Sequence, residues 1–209
     1  MIKKRDPDKM IASEIEKIKP IYQDTNALKD FWENRYTETY HDLLESRNEI
    51  GRHGVIAEYI TKIIRKGTVL DIGCGTGILA ELLDLDLFQY TGLDIAREAI
   101  ALARGKQPGL KNRFHNIRFE EYQSEKPFDV IVANEILYYV DAGIFFKQCN
   151  RLLAPRGHLI VSVFDFKKGK TLLPVIKARL ATPFEISVSN PEADLKWEVI
   201  AGEFKIDIR

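Results

Sequence analysis

In Val69-Leu70-Asp71-Ile72-Gly73-Cys74-Gly75-Thr76-Gly77 an apolar run ends at an acid, and three glycines then alternate with other residues. The residues that follow, Ile78-Leu79-Ala80-Glu81-Leu82-Leu83, space their apolar side chains as a helix does. Strand, glycine turn and helix in this order mark the place in an open α/β sheet where a nucleotide-like ligand lies over the carboxyl end of a strand. Glycines suit such a turn because they accept backbone angles closed to other residues and let a ligand come close to the main chain. Cys74, between them, needs only to be small. Amides at the start of the helix then favour a negative group.

The alternation continues outward. Strands are expected at 68–72, 89–94, 113–117, 128–133 and 158–164. Helices fall between them: one to about 84, one at 96–104 closed by Gly105, and one from an Asp141 cap to about 153. Pro155-Arg156-Gly157 reads as the turn before the fifth strand. Strands that alternate with helices imply right-handed crossovers and a parallel sheet. After a helix near 171–181, residues 183–188 and 196–201 read as two further strands. Their connection is too short for a helix, so they should pair as an antiparallel hairpin. The expected fold class is α/β.

Towards the N-terminus, residues 8–19 read as a short amphipathic helix ended by Pro20. A second helix, about 26–46, carries Leu28, Trp32, Tyr36 and Tyr40 at steps of four. A third, about 50–65, carries Ile56, Ile60, Ile63 and Ile64 and stops at Lys66-Gly67. The expected organisation is a helical cap or lid over 1–54 and a ligand-binding domain over 55–209. The aromatic stripe has two readings: core packed on the main domain, or a lid whose Tyr36 or Tyr40 touches the ligand.

At 209 residues, 45% apolar and 30% charged, the chain suits one soluble α/β domain with modest additions. Lys+Arg and Asp+Glu both count 31, which argues weakly against a nucleic-acid substrate. Cys74 and Cys149 give no disulfide framework, and no His/Asp/Glu set has metal spacing, so metal-independent chemistry is expected. No apolar run has the length of a membrane span, and no secretory core follows the basic first residues. A cytoplasmic location is expected; the oligomeric state is left open.

The dinucleotide fingerprint G-x-G-x-x-G would place its third glycine at position 78, which is Ile. D-x-G-x-G-x-G instead resembles motif I of the class I methyltransferases that use S-adenosylmethionine. Five α/β units ending in a hairpin are similar to the Rossmann-like, seven-stranded plan of that family. The resemblance covers about residues 55–209. It implies S-adenosyl-L-methionine as cofactor and S-adenosyl-L-homocysteine as product. Asp94 ends the second strand 23 residues after Asp71, and a carboxylate can accept from both vicinal ribose hydroxyls. The resemblance gives Asp94 that role and lays Ile95 against the adenine; a helix cap is the other reading of Asp94, and the two can coexist. Asp71 is implied to order the loop near the methionine end, with Gly73, Cys74, Gly75 and Gly77 as the cradle. In Ile117-Arg118-Phe119-Glu120, Arg118 stands where the family usually has an acid at the adenine, and Phe119 takes the apolar place that follows. Glu120, in a shifted register, is another candidate acceptor.

The fourth strand runs into Asn134-Glu135-Ile136-Leu137-Tyr138-Tyr139-Val140-Asp141, the position that faces the methyl group in the family. Methyltransferases of nucleic-acid amino groups often show [D/N]-P-P-[Y/F] here, and this chain has no proline in the stretch. It is similar instead to small-molecule enzymes, particularly the N-methyltransferases of lipo-chitooligosaccharide nodulation signals. The implied partner is a small-molecule acceptor methylated on O or N. Asn134 and Tyr36 join the cofactor set. Methyl transfer is an in-line displacement in which alignment matters most, and a base is needed only if the nucleophile must first lose a proton. Glu135, His53, Tyr138 and Tyr139 are the candidates. Glu135 could instead bond the helix before the first strand, and His53 could be a surface residue. His41, His115 and His158 have no partner pattern. Two other functions compete: a nicotinamide-dependent oxidoreductase on a Rossmann sheet, and a non-catalytic partner protein that keeps the cofactor fold.

Overall fold

The computed structural model describes residues 25–37, 47–137, 139–165, 167–190 and 195–206. The helix expected at 8–19, together with Tyr40, His41 and Tyr138, lies outside the described residues. Seven strands form one sheet: β1 (Gly67–Ile72), β2 (Phe88–Asp94), β3 (Phe114–Asn116), β4 (Phe128–Asn134), β5 (Leu153–Phe164), β6 (Phe184–Asn190) and β7 (Leu195–Glu203). Their order is β3-β2-β1-β4-β5-β7-β6. Strands β1 to β5 pair in parallel. Strand β7 is antiparallel to both β5 and β6, so it alone runs against the rest. The fold is therefore α/β, mostly parallel, with the antiparallel hairpin at its C-terminal edge.

The described α-helices are α1 (Thr25–Thr37), α2 (Arg47–Tyr59), α3 (Ile78–Leu82), α4 (Arg97–Lys106), α5 (Ala142–Leu152) and α6 (Lys167–Ala178). Central strands of a parallel sheet are covered on both faces and need nearly continuous apolar runs; Val69, Leu70, Val130, Ile131, Val132 and Ala133 are accordingly all buried. One face packs Val130 and Val132 against Ile56 and Ile60 of the α2 segment, Leu79 and Ile100. The other packs Ile131 and Val161 against Phe145, Cys149, Leu152 and Ile176. Asp141 caps α5, its Oδ1 accepting the Ile144 N–H at 2.9 Å. Asp129 ties β4 to β1: its Oδ2 accepts the Thr68 N–H and hydroxyl at 2.8 and 2.9 Å. Among the described residues no helix is long and apolar enough to cross a membrane.

Several boundaries differ from expectation. Helix α4 continues through Gly105 to Lys106, because a glycine closes a helix only where the chain turns left-handed, and Gly105 does not. Pro155-Arg156-Gly157 lies within β5 as a bulge. Between the pairs Phe128↔Leu153 and Val130↔His158, β5 carries three extra residues, and Arg156 takes the left-handed φ of 65°. Helix α2 starts at Arg47, earlier than expected, and widens into a π-turn at Ile60–Ile64. Helix α6 begins at Lys167 rather than near 171.

Gly92 on β2 shows how tightly the glycine loop is seated. A Cβ there would stand 2.8 Å from Cys74 Sγ and 2.9 Å from Phe114 Cδ1. Gly92→Ala should therefore lower stability by about 1–3 kcal/mol through overpacking. Adding Cys74→Ala should recover part of that loss. Urea unfolding of the single and double variants checks both statements.

Candidate active site

After β1 the chain builds β2 and β3 on one side and later β4 and β5 on the other. The crevice beyond the carboxyl end of β1 is thus the topological switch point, where open α/β sheets take ligands. The loop there is drawn tight: Cys74 N–H donates to Leu93 O and Gly77 N–H to Cys74 O, both at 2.9 Å. Gly73, Gly75 and Gly77 have φ of 67°, 54° and 85°. A Cβ on Gly75 would stand 2.9 Å from the Tyr36 hydroxyl, and one on Gly73 would clash with Ile136. Any larger side chain at Gly75 thus meets both backbone strain and a blocked approach. The Thr76 hydroxyl is buried and, among the described residues, has no hydrogen-bond partner.

Asp94 joins the loop to the following helix. Its Oδ2 accepts the Gly75 N–H at 2.9 Å and its Oδ1 the Ala96 N–H at 2.8 Å. Each carboxylate oxygen keeps a further lone pair. Burial, reinforced by the Glu33 charge, raises the Asp94 carboxyl to about 6 against the bonds from Ala96 and Gly75. Asp71 lies on β1 and accepts the Tyr90 hydroxyl at 2.7 Å. Burial raises it to about 7, opposed by the Tyr90 bond and reinforced by Asp94. Two acids in a dry site favour a ligand that brings positive charge or hydrogen-bond donors.

Helix α1 spans this crevice. Tyr36 packs with Ala96 and Ala99 on the β2 side. Trp32 meets Tyr139, beyond β4, edge to face at 5.2 Å. Glu33 Oε2 accepts the Glu98 N–H in the first turn of α4 at 2.9 Å, where a carboxylate also suits the helix dipole. Ile95 is half-buried, and its carbonyl accepts Asn116 Nδ2 at 2.8 Å. Phe119 is buried against Phe145, ring centroids 5.4 Å apart. Gln148 Nε2 donates to the carbonyls of Phe119 and Tyr122 at 2.8 and 2.9 Å and so fixes that turn. Arg118 pairs with Glu120 at 3.4 Å.

A second polar cluster stands at the ends of β4 and β5. Asn134 Oδ1 lies 2.9 Å from Arg52 Nε and 2.6 Å from Ser162 Oγ, and Asn134 Nδ2 lies 2.7 Å from His53 Nε2. Glu135 reaches the same serine, Oε1 to Oγ 2.8 Å, with its backbone at the left-handed φ of 63°. A non-glycine residue held there is a mark of local constraint. His53 is 8% exposed, so it is not a surface residue. Arg52 is 3% exposed, with its guanidinium 5.0 Å from the centre of the Trp197 ring. Sequence reasoning passed over Arg52, Ser162 and Glu33. Ser162 did leave a signal, as the one polar residue in Leu159-Ile160-Val161-Ser162-Val163-Phe164. His158, expected without a partner, has Nδ1 at 2.9 Å from the Tyr59 hydroxyl.

The strand order, with the glycine loop at its switch point, defines an α/β domain of the Rossmann-like class. A family model described as a methyltransferase domain matches residues 43–196, and the chain belongs to that family. Ubiquinone biosynthesis O-methyltransferase of Sodalis glossinidius (strain morsitans) is 33% identical over 115 residues, which are 53% of this chain and 46% of that protein. The chain spans about half the length of the curated relatives it matches. Two solved structures share the fold. N-methyltransferase NodS from Bradyrhizobium japonicum WM9, in complex with S-adenosyl-L-homocysteine, has a TM-score of 0.65 at 19% identity, over 77% of this chain and 89% of that one. The [4+2]-cyclase SpnF has 0.58 at 16%, over 74% and 82%.

The raised Asp71 carboxyl sets a pH dependence of stability. A carboxyl at about 7 in the native chain, against about 3.9 unfolded, stabilises the fold most below the lower value. That contribution fades as pH rises towards the upper one. Asp71→Asn keeps an acceptor for Tyr90 without the titration, so its advantage over the unaltered chain should grow from about pH 4 to about pH 7. Thermal unfolding midpoints across that range test the sign.

Proposed function

We propose that the domain is an S-adenosylmethionine-dependent methyltransferase acting on an oxygen or nitrogen of a small molecule, in the cytoplasm. The observation that carries the reading is the Asp94 carboxylate bonded to both Gly75 and Ala96 at the switch point. The residues present fit that ligand. The left-handed glycines allow approach to the main chain, and Asp94 keeps lone pairs for two vicinal hydroxyls. The paired acids suit a cation, and the buried Thr76 hydroxyl has bonding capacity to give. When bound, S-adenosylmethionine supplies an electrophilic methyl group on a positively charged sulfur.

The chain's own part is to bind, orient and exclude water. Asp94 holds the ribose and Ile95 flanks the adenine, with Phe119 buried behind the turn that follows β3. Gly73, Cys74, Gly75 and Gly77, ordered over Asp71, cradle the amino-acid end. Asn134, Glu135 and Tyr139 border the acceptor side; Tyr138 belongs to the same stretch. Glu135 and Tyr139 are the groups to take a proton if the acceptor must lose one. Tyr36 and Trp32 make α1 the cover that keeps water out. The names of the relatives, an O-methyltransferase and an N-methyltransferase, support a small-molecule acceptor. SpnF, a cyclase on the same fold, favours one second reading: a protein that keeps the ligand site without methyl transfer. Turnover with a pool of small-molecule acceptors separates the two readings.

Asp94→Ala should weaken S-adenosylhomocysteine binding by roughly 2 kcal/mol, about thirtyfold, with the fold retained. Calorimetry measures it, and an unchanged dissociation constant removes Asp94 from the site. No binding at all by the folded, unaltered chain at millimolar ligand would sink the whole reading.

Because the Tyr36 hydroxyl stands against Gly75, α1 must give way to admit the ligand and then close on it. Hydrogen exchange in residues 25–37 should therefore slow on adding S-adenosylhomocysteine, and by more than in β6 and β7. Equal exchange with and without ligand would make α1 a fixed part of the core.

A further inference from the structure

The two ends of the Asn134 amide are told apart by their partners. Arg52 Nε carries a hydrogen and no lone pair, so the atom 2.9 Å from it is the amide oxygen. Ser162 Oγ meets the same oxygen at 2.6 Å. The amide nitrogen is thereby turned to His53 Nε2, at 2.7 Å. An amide nitrogen only donates, so Nε2 must offer its lone pair. The imidazole that fits is neutral, with its proton on Nδ1. A proton on Nε2 would set two donors face to face in a buried place beside the Arg52 cation. Glu135 beyond β4 is engaged by Ser162. Glu198 on β7 is taken by Ser187 and Lys196.

We propose that Arg52 is a positioning residue: by fixing the Asn134 amide it holds His53 as the neutral Nδ1–H tautomer and withholds Nε2 from proton transfer. Its bearing on catalysis rests on the methyltransferase reading; the tautomer itself does not. Arg52 decides the orientation because its Nε can only donate, whereas the Ser162 hydroxyl could serve either end of the amide. Without Arg52 the amide can turn over, present its oxygen to His53 and select the Nε2–H form. With a carboxylate at position 134, an acceptor faces Nε2 and the imidazolium becomes the favoured form.

The test is a long-range 1H–15N spectrum of the full chain labelled in its histidines, with His53 assigned by the signals lost in H53Q. The unaltered chain should show the neutral Nδ1–H pattern at neutral pH and keep it below about 6.5, the ordinary imidazole value. Arg52→Met should bring in the Nε2–H tautomer. Asn134→Asp should keep His53 protonated above that ordinary value and add an imidazole step to the pH profile of any turnover. An Nε2–H or imidazolium pattern in the unaltered chain at neutral pH overturns the proposal, as does an unchanged tautomer in folded Arg52→Met. The unaltered chain's spectrum needs no variant to fold. None of the spectra needs ligand or turnover, so a chain that fails to bind S-adenosylhomocysteine would sink the functional reading and leave the tautomer to be judged separately.

Discussion

Two amides from different strand-to-helix connections, those of Gly75 and Ala96, end on one carboxylate, that of Asp94. Without that tie the glycine loop after β1 and the start of α4 would be independent surface turns. With it they form one rigid edge of a crevice. The tie is possible only because β1 and β2 lie side by side in parallel register, which brings Asp71 level with Gly92 and Ile72 with Leu93. Gly92 in turn leaves room for the Cys74 side chain beneath the loop. A carboxylate that must serve two amides cannot also be well hydrated, and its raised pKa follows from that burial. The same dryness acts on Asp71, where, among the described residues, the Tyr90 hydroxyl is the donor that replaces water. Such a site is less stable than an apolar one of the same shape. A ligand with donors and positive charge would complete it.

The opposite wall of the crevice follows a different rule. There the polar groups, Arg52, His53, Asn134, Glu135 and Ser162, bond to one another around the Asn134 amide and the Ser162 hydroxyl. A network of this kind fixes orientation, because each member can take only the role that its neighbours leave open. The two walls thus divide the work. The β2 side holds groups with bonding capacity to spare, and the β4 side holds groups that orient one another. Helix α1 connects them, bonded by Glu33 to the first turn of α4 and packed by Trp32 on Tyr139.

What could be read in the sequence is what depends on near neighbours in the chain. The apolar runs of β1 and β4, the left-handed glycines of the loop and the Asp141 cap are local matters, and each follows from a few adjacent residues. The boundaries that moved are those where a distant contact decides. Gly105 is compatible with a helix end but does not enforce one, and Arg104, just before it, bonds the carbonyls of Lys111 and Phe114. Pro155-Arg156-Gly157 bulges within β5 because β4 pairs with Leu153 before it and with His158 and the residues after it. The site divides in the same way. Asp71 and Asp94 could be found by spacing from the glycines. Arg52 and Ser162 are 110 residues apart and meet only through Asn134. Ser162 was readable as a polar residue in a run too apolar to leave it idle, but its partner was not. Glu33 acts on a backbone amide 65 residues away, and no sequence pattern marks a side chain that caps another helix.

The fold itself does not choose the chemistry. SpnF carries the same architecture and is a cyclase, whereas NodS is an N-methyltransferase. The sheet and the glycine loop therefore specify a ligand class at most, and the reaction must be specified by what borders the ligand. In this chain α1, the first turns of α2 and the stretch after β4 stand around the crevice. Two of the three lie before the first strand. Yet Tyr36, Arg52 and His53 are all buried, so burial has been arranged around them. Side chains that expensive to desolvate, supplied by elements that precede the first strand, let the rim of the crevice differ where the sheet beneath it does not.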